Sequence, residues 1–197
     1  MYQRKNHVAP GQLVIIAKIY WDSTMIGLEK GVVRLVDYQP EWPELFEIEK
    51  NKLKNILGNS HILIEHMGST SIPGIKAKPI IDIMIGINVF NDGYELAKKL
   101  ENANYRYKGE NGIPGRHYFE YGDPSVYHLH MVEINSDFWI DHILFRDHLR
   151  INKETRDAYE CLKIALAKKY PTDRDAYCDS KSEFISGILQ DIKSIYL

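Results

Sequence analysis

At 197 residues the chain is long enough for one domain with a sizeable core, and 44% apolar and 26% charged residues are ordinary globular values. A formal net charge of −2 offers no basic field for bulk nucleic-acid binding, no apolar run approaches a bilayer span, and two cysteines, Cys161 and Cys178, cannot build a disulfide framework. The simplest expectation is a reduced, cytoplasmic protein. The short run Leu13–Ala17 lacks a small-residue cleavage site and is followed by Lys18, so no signal peptide is expected there.

Residues 1–31 read as an N-terminal extension, with a polar start, a Pro10-Gly11 turn and a candidate strand over 13–20. The organised part runs from Val32 to the end, residues 32–197. Val32–Val36 reads as a short strand. Pro40 suits the first turn of a helix in which Trp42, Leu45, Phe46, Leu53, Ile56 and Leu57 recur at helical spacing up to Gly58. Ile62–Met67 and Ile80–Ile87 are strands. Asn91 or Asp92 caps a helix over 93–103 whose Tyr94, Ala97 and Leu100 share a face. Arg116–Tyr121 and Tyr127–Ile134 form an aromatic-rich hairpin across Gly122-Asp123-Pro124-Ser125.

From there the pattern is helical. Ser136 caps one amphipathic run and Asn152 caps the next, which Pro171 stops. A third starts near Asp175 and carries Tyr177, Phe184, Ile185, Ile188, Leu189 and Ile192. The expected fold is therefore α+β. A mixed sheet should have helices 41–57 and 93–103 on its apolar side and a three-helix C-terminal segment over or beside the other.

The chemistry concentrates between His66 and Ile87. The alternation of Ile81, Ile83, Ile85 and Ile87 makes one face of that strand core, which puts Asp82 near the strand centre on the other face with Met84 and Gly86. The preceding loop, Gly68-Ser69-Thr70-Ser71, combines a glycine that permits close backbone approach with three hydroxyls and free N–H groups suited to anionic oxygens. Lys76 and Lys78 add positive charge. A tight turn beside an aspartate that bonds backbone amides explains the same pattern.

A Gly-Ser turn ahead of an Asp-bearing apolar strand resembles the signature of the nucleotidyltransferase superfamily. Ordered blocks over residues 32–196 are similar to the GrpB-like family: Tyr38-Gln39-Pro40-Glu41-Trp42, His66 to Asp82, His128-Leu129-His130, Leu144 to Arg150, Tyr159 with Lys163, and Lys181-Ser182-Glu183-Phe184-Ile185. The resemblance implies a nucleotidyltransferase-like fold, in a domain also found fused to some dephospho-CoA kinases, and a nucleotide or other phosphorylated small molecule as ligand. It names no protein partner. Gly68, Ser69, Thr70 and Ser71 would grip phosphates with Lys76, Lys78 and Arg146. Asp82 would hold Mg²⁺ and act with a second acid, and His66, His128, His130 and Lys181 would line the site.

The second acid is where the sequence departs from the pattern. Met84, two residues after Asp82, carries a soft thioether where Mg²⁺ wants oxygen. Glu133 is the chosen partner for the catalytic and metal roles, with Glu120 and Glu65 as alternatives, although strand parity sets Glu133 against His128 and His130 unless a bulge intervenes. Two functions follow: a Mg²⁺-dependent nucleotidyltransferase, or an inactive binding or accessory module that keeps the anion loop without the metal pair.

Overall fold

The computed structural model describes residues 26–58 and 62–196. The candidate strand over 13–20, and most of the 1–31 extension, lie outside the described residues. The remainder of that extension packs on the domain: Leu28 is buried and bridges to Ser125, and the Gly27 N–H donates to the Pro79 carbonyl.

The isoleucine alternation sets the architecture. A five-stranded mixed sheet has the order β1 (Leu63–Met67), β2 (Ile81–Ile87), β5 (Tyr127–Glu133), β4 (Arg116–Tyr121), β3 (Arg106–Tyr107). Strands β2 and β5 run parallel, and the other neighbours are antiparallel. The fold is thus α+β, as the hydrophobic patterning predicts, and the 116–134 hairpin forms, with Tyr121 paired to Tyr127. The two-residue β3 was not legible.

Two helices cover the isoleucine face: α1 (Trp42–Leu57) and α2 (Gly93–Asn102). Trp42, Leu45, Phe46, Leu53, Leu57, Ala97 and Leu100 pack there on Ile81, Ile83, Ile85, Phe119, Leu129 and Met131. Removing each such side chain from water stabilises the fold by about 1.5–3 kcal/mol before entropy is counted. One carboxylate, Glu49, is buried among them and is satisfied by the Tyr105 hydroxyl and by Lys52 Nζ at 3.2 Å.

The opposite face meets the C-terminal helices. Helix α3 (Asp137–Ile151) lays Trp139, Phe138 and Ile143 on Met67, Met84 and Val132. Gly86 makes room for it, since a Cβ there would stand 2.7 Å from both Trp139 and Ile134. Helices α4 (Lys153–Lys169), α5 (Arg174–Asp179) and α6 (Ser182–Tyr196) complete the segment. Ser136 and Asn152 cap α3 and α4 as expected, accepting from the Trp139 and Thr155 amides at 3.3 and 2.9 Å.

Four local expectations fail. Val32–Val36 makes a single bridge, Val36 to Ala77, in place of a strand. Pro43, inside the first turn of α1, takes the position assigned to Pro40. The run from Asp175 is two helices rather than one, because Asp179 and Ser180 compete with the helical backbone and α5 ends there. Tyr94 is 48% exposed, lying edge-on to Phe90 and His117 instead of joining Ala97 and Leu100 in the core.

Candidate functional site

The Gly-Ser turn and the aspartate meet. Met67, the last residue of β1, pairs with Asp82, so the chain leaves β1 directly beside that carboxylate. Gly68 turns there with φ +68°, and a Cβ at this position would lie 2.6 Å from Asp82 Oδ2. Glycine is required twice over, by conformation and by space. Residues 69–71 follow as one 3₁₀ turn, which three contacts hold. Ser71 Oγ donates to the Gly68 carbonyl at 2.6 Å, Thr70 Oγ1 meets His66 Nε2 at 3.0 Å, and Arg150 Nε donates to the Ser71 carbonyl at 3.0 Å. Thr70 and Ser71 are buried and internally engaged. Ser69 is half-buried, and its hydroxyl makes no hydrogen bond among the described residues.

Register then gathers a polar face around Asp82. His128 lies opposite it on β5, His130 opposite Met84, Tyr118 opposite His130 and Glu120 opposite His128. Asp82 Oδ1 is 3.2 Å from His128 Nδ1 and 3.7 Å from His130 Nε2. The Asp82 side chain keeps 26% of its surface exposed. Burial acts to raise its pKa, but the two imidazoles overcome this and hold the carboxyl well below its usual 3.8. Burial wins for the histidines, whose pKa values fall below 6.5 despite the neighbouring carboxylate. At neutral pH the group is one carboxylate beside two neutral imidazoles.

Cations surround it. Arg174 Nη2 lies 3.2 Å from His128 Nδ1, and its guanidinium bonds the Tyr118 hydroxyl. Arg116 approaches His130 Nδ1 at 3.3 Å and donates to the Glu110 and Asn111 carbonyls at 3.1 and 2.9 Å. Lys78 is close enough to feel the charges of both Asp82 and Arg174, and burial, reinforced by Arg174, pulls it down to about 8.

Several expected residues point elsewhere. Glu133 sits opposite Ile87, on the isoleucine side, and its carboxylate accepts the Phe90 amide at 2.7 Å; the strand carries no bulge to reverse its parity. His66 pairs with Ile83 on that same side and stacks on Phe46 at 4.8 Å. Burial drives its pKa to about 3, so it stays neutral and orders Thr70. Lys76 turns to Asp37. Arg146 is bound by Glu65 and Asp147, each at 2.7 Å, and by the His66 carbonyl, which makes it a brace between α3 and β1. Of the alternative acids, Glu65 is thus taken. Glu120, on the correct face, faces Arg106 and Lys108 at 3.7 and 3.9 Å.

A Mg²⁺ ion does not fit this donor set. Among the described residues no group of three His, Cys, Asp or Glu side chains is arranged to hold a metal, and Asp82 has two guanidiniums and an ammonium near it where a second carboxylate would be needed. Sequence reading missed Arg174 and Arg116. Arg116 and Tyr118 share strand parity with Glu120, a signal that was available. Arg174 stands in the first turn of a helix, where a cation opposes the helix dipole, and that misfit marks it.

A family model described as GrpB protein matches residues 32–191. The chain is 38% identical over 174 residues to the glutamate-rich protein GrpB of Alkalihalophilus pseudofirmus, covering 85% of this chain and 100% of that one. The crystal structure of conserved protein GrpB from Enterococcus faecalis superposes with a TM-score of 0.74 at 36% identity, over 83% of this chain and 99% of that one. The Cid1 poly(U) polymerase is more distant: 10% identical, with a TM-score of 0.48 over 79% of this chain and 48% of that one, it carries no inference about this chain. Within the described residues no helix is long and apolar enough to cross a membrane. By the extent of the family match and of these two alignments, the chain belongs to the GrpB family.

Proposed function

We propose that this protein binds a phosphorylated small molecule, a nucleotide among the candidates, at the Asp82 face, and that its own cations rather than a divalent ion neutralise the phosphate. The observation that carries this reading is the approach of the Gly68-Ser69 turn to Asp82 beside Arg174 and Lys78, neither of which has a carboxylate within ion-pair distance among the described residues. Ser69 supplies the hydroxyl left free by the turn, and the backbone N–H groups of the bend add dipoles that favour an anion. Arginine suits a forked contact with phosphate oxygens, and a half-buried lysine adds a point charge in a medium that screens it weakly.

Of the two readings of the sequence, the binding module is the better supported. In-line nucleotidyl transfer needs oxygen ligands that bridge two ions, and the other carboxylate on the Asp82 face, Glu120, is turned to Arg106 and Lys108. Calorimetry with a panel of nucleoside triphosphates, in EDTA and in Mg²⁺, tests this. The expected result is binding in EDTA that persists in Asp82→Asn, because removing a negative charge from a cationic pocket does not oppose an anion. Binding that requires Mg²⁺ and vanishes in Asp82→Asn restores the enzyme reading. Absence of binding under both conditions sinks both.

A further inference from the structure

Beyond the Asp82 face, lysines from three separate segments lie against two tyrosines of the C-terminal helices. Tyr177 on α5 is 1% exposed. Lys78, from the loop before β2, holds its Nζ 5.7 Å from the Tyr177 ring centroid, and Lys181, between α5 and α6, holds its Nζ at 4.4 Å. Lys163 on α4 is itself 1% exposed, lies 5.0 Å above the Tyr159 ring, and donates to the Lys76 carbonyl. Among the described residues none of the three has a carboxylate within ion-pair distance.

The acids nearby do not relieve them. Glu160, the one acid that acts on Lys163, gives an oxygen to the Lys76 amide at 2.5 Å. Asp82, whose charge Lys78 feels, already lies 3.2 Å from His128 Nδ1 and 3.7 Å from His130 Nε2. Burial, followed by the other cations, brings Lys163 down to about 7 and Lys78 to about 8. Lys163 feels the charges of Lys78 and Lys181, and Lys78 feels those of Arg174, Asp82 and Lys181.

Like charges held together at low dielectric repel strongly. A packed interior tolerates them when they are neutral or when an anion enters. Lys163 has one carbonyl partner, that of Lys76, and Lys78 and Lys181 share the Tyr177 ring, but within the described residues no carboxylate lies within ion-pair distance of any of the three ammonium groups. We propose that Lys78, Lys163 and Lys181 form a second anion subsite joined to the Asp82 face through Lys78, so that the ligand carries at least two linked phosphates. The inference rests on the phosphate reading of the Asp82 face and extends it from one phosphate to a diphosphate. Inorganic pyrophosphate and nucleoside diphosphates share that chemistry.

Calorimetry of the full chain in EDTA, with orthophosphate, pyrophosphate and ADP as probes, tests it. Pyrophosphate should bind at least roughly tenfold more tightly than orthophosphate, a difference of about 1.4 kcal/mol. Lys181→Ala, a change at a half-buried position, should bring the two probes to near parity while leaving orthophosphate binding intact. Lys163→Met should do the same, and Lys181→Ala alone decides the matter if that variant fails to fold. Equal affinity for the two inorganic probes, or a preference that survives Lys181→Ala, overturns the diphosphate assignment and leaves the single-phosphate reading standing. Binding of neither inorganic probe and of no ADP overturns both. ADP binding at least as well as pyrophosphate supports the assignment with a nucleotide as carrier, and pyrophosphate binding alone supports it with a carrier that has no base.

Discussion

The two faces of the sheet are built by opposite rules. On the isoleucine face, side chains from five strands and two helices exclude water, and the one buried carboxylate, Glu49, is fully satisfied within the protein. The Asp82 face carries Arg116 and Arg174 without acidic partners, with one carboxylate beside two neutral imidazoles. Natural folds are locally consistent except where function demands otherwise. The face that leaves cations without acidic partners is the one expected to meet a ligand.

The comparison can be broken first from the apolar side. Phe119 is completely buried between the strands and helix α2, so Phe119→Ala should cost about 3–5 kcal/mol of stability, read from the denaturant midpoint. Anion binding by the molecules that remain folded should be unchanged. If stability falls by less than 1 kcal/mol, on the order of a surface change, the isoleucine face is not the main core.

On the other face, Gly68→Ala should cost about 1–3 kcal/mol and abolish phosphate binding, since φ +68° strains any side chain and the new Cβ falls against Asp82. Retained affinity in that variant means that the turn and the aspartate do not share a ligand. The smallest expected effect is in the pH profile. Lys163 loses its proton near pH 7 in the folded chain but near its usual 10.5 when unfolded. Between those values the unfolded state holds the extra proton, so stability rises with pH. The gain from pH 7 to pH 9 is about 2 kcal/mol, and Lys163→Met should remove that part of the slope. A wild-type profile that is flat or falling across this window rejects the burial of Lys163 as a charged group.

Much of this was legible, and the limits have physical causes. Period-two alternation in 81–87 placed Asp82 on the face away from the isoleucines. Ser136 and Asn152 announced two helix starts, because a cap needs one side-chain oxygen at one position. Parity warned against Glu133, and the structure sets it on the far side. His66 and Arg146 misled for a shared reason. Each belongs to a block that resembles the family pattern, yet that pattern does not separate a residue that touches ligand from one that braces the turn. Both brace it here, His66 through Thr70 and Arg146 through β1.

The sequence by itself determined four of the sheet's five strands, its dry face, and the glycine turn that precedes Asp82, because each depends on residues a few positions apart. Tertiary structure alone decided which charges meet. Lys78, Lys163, Arg174 and Lys181 come from segments up to a hundred residues apart, and their mutual field exists only once α4 and α5 dock beside β2. Local patterning fixes periodicity and faces; electrostatic environment depends on distance in space and on the exclusion of water, and neither is written in the order of residues.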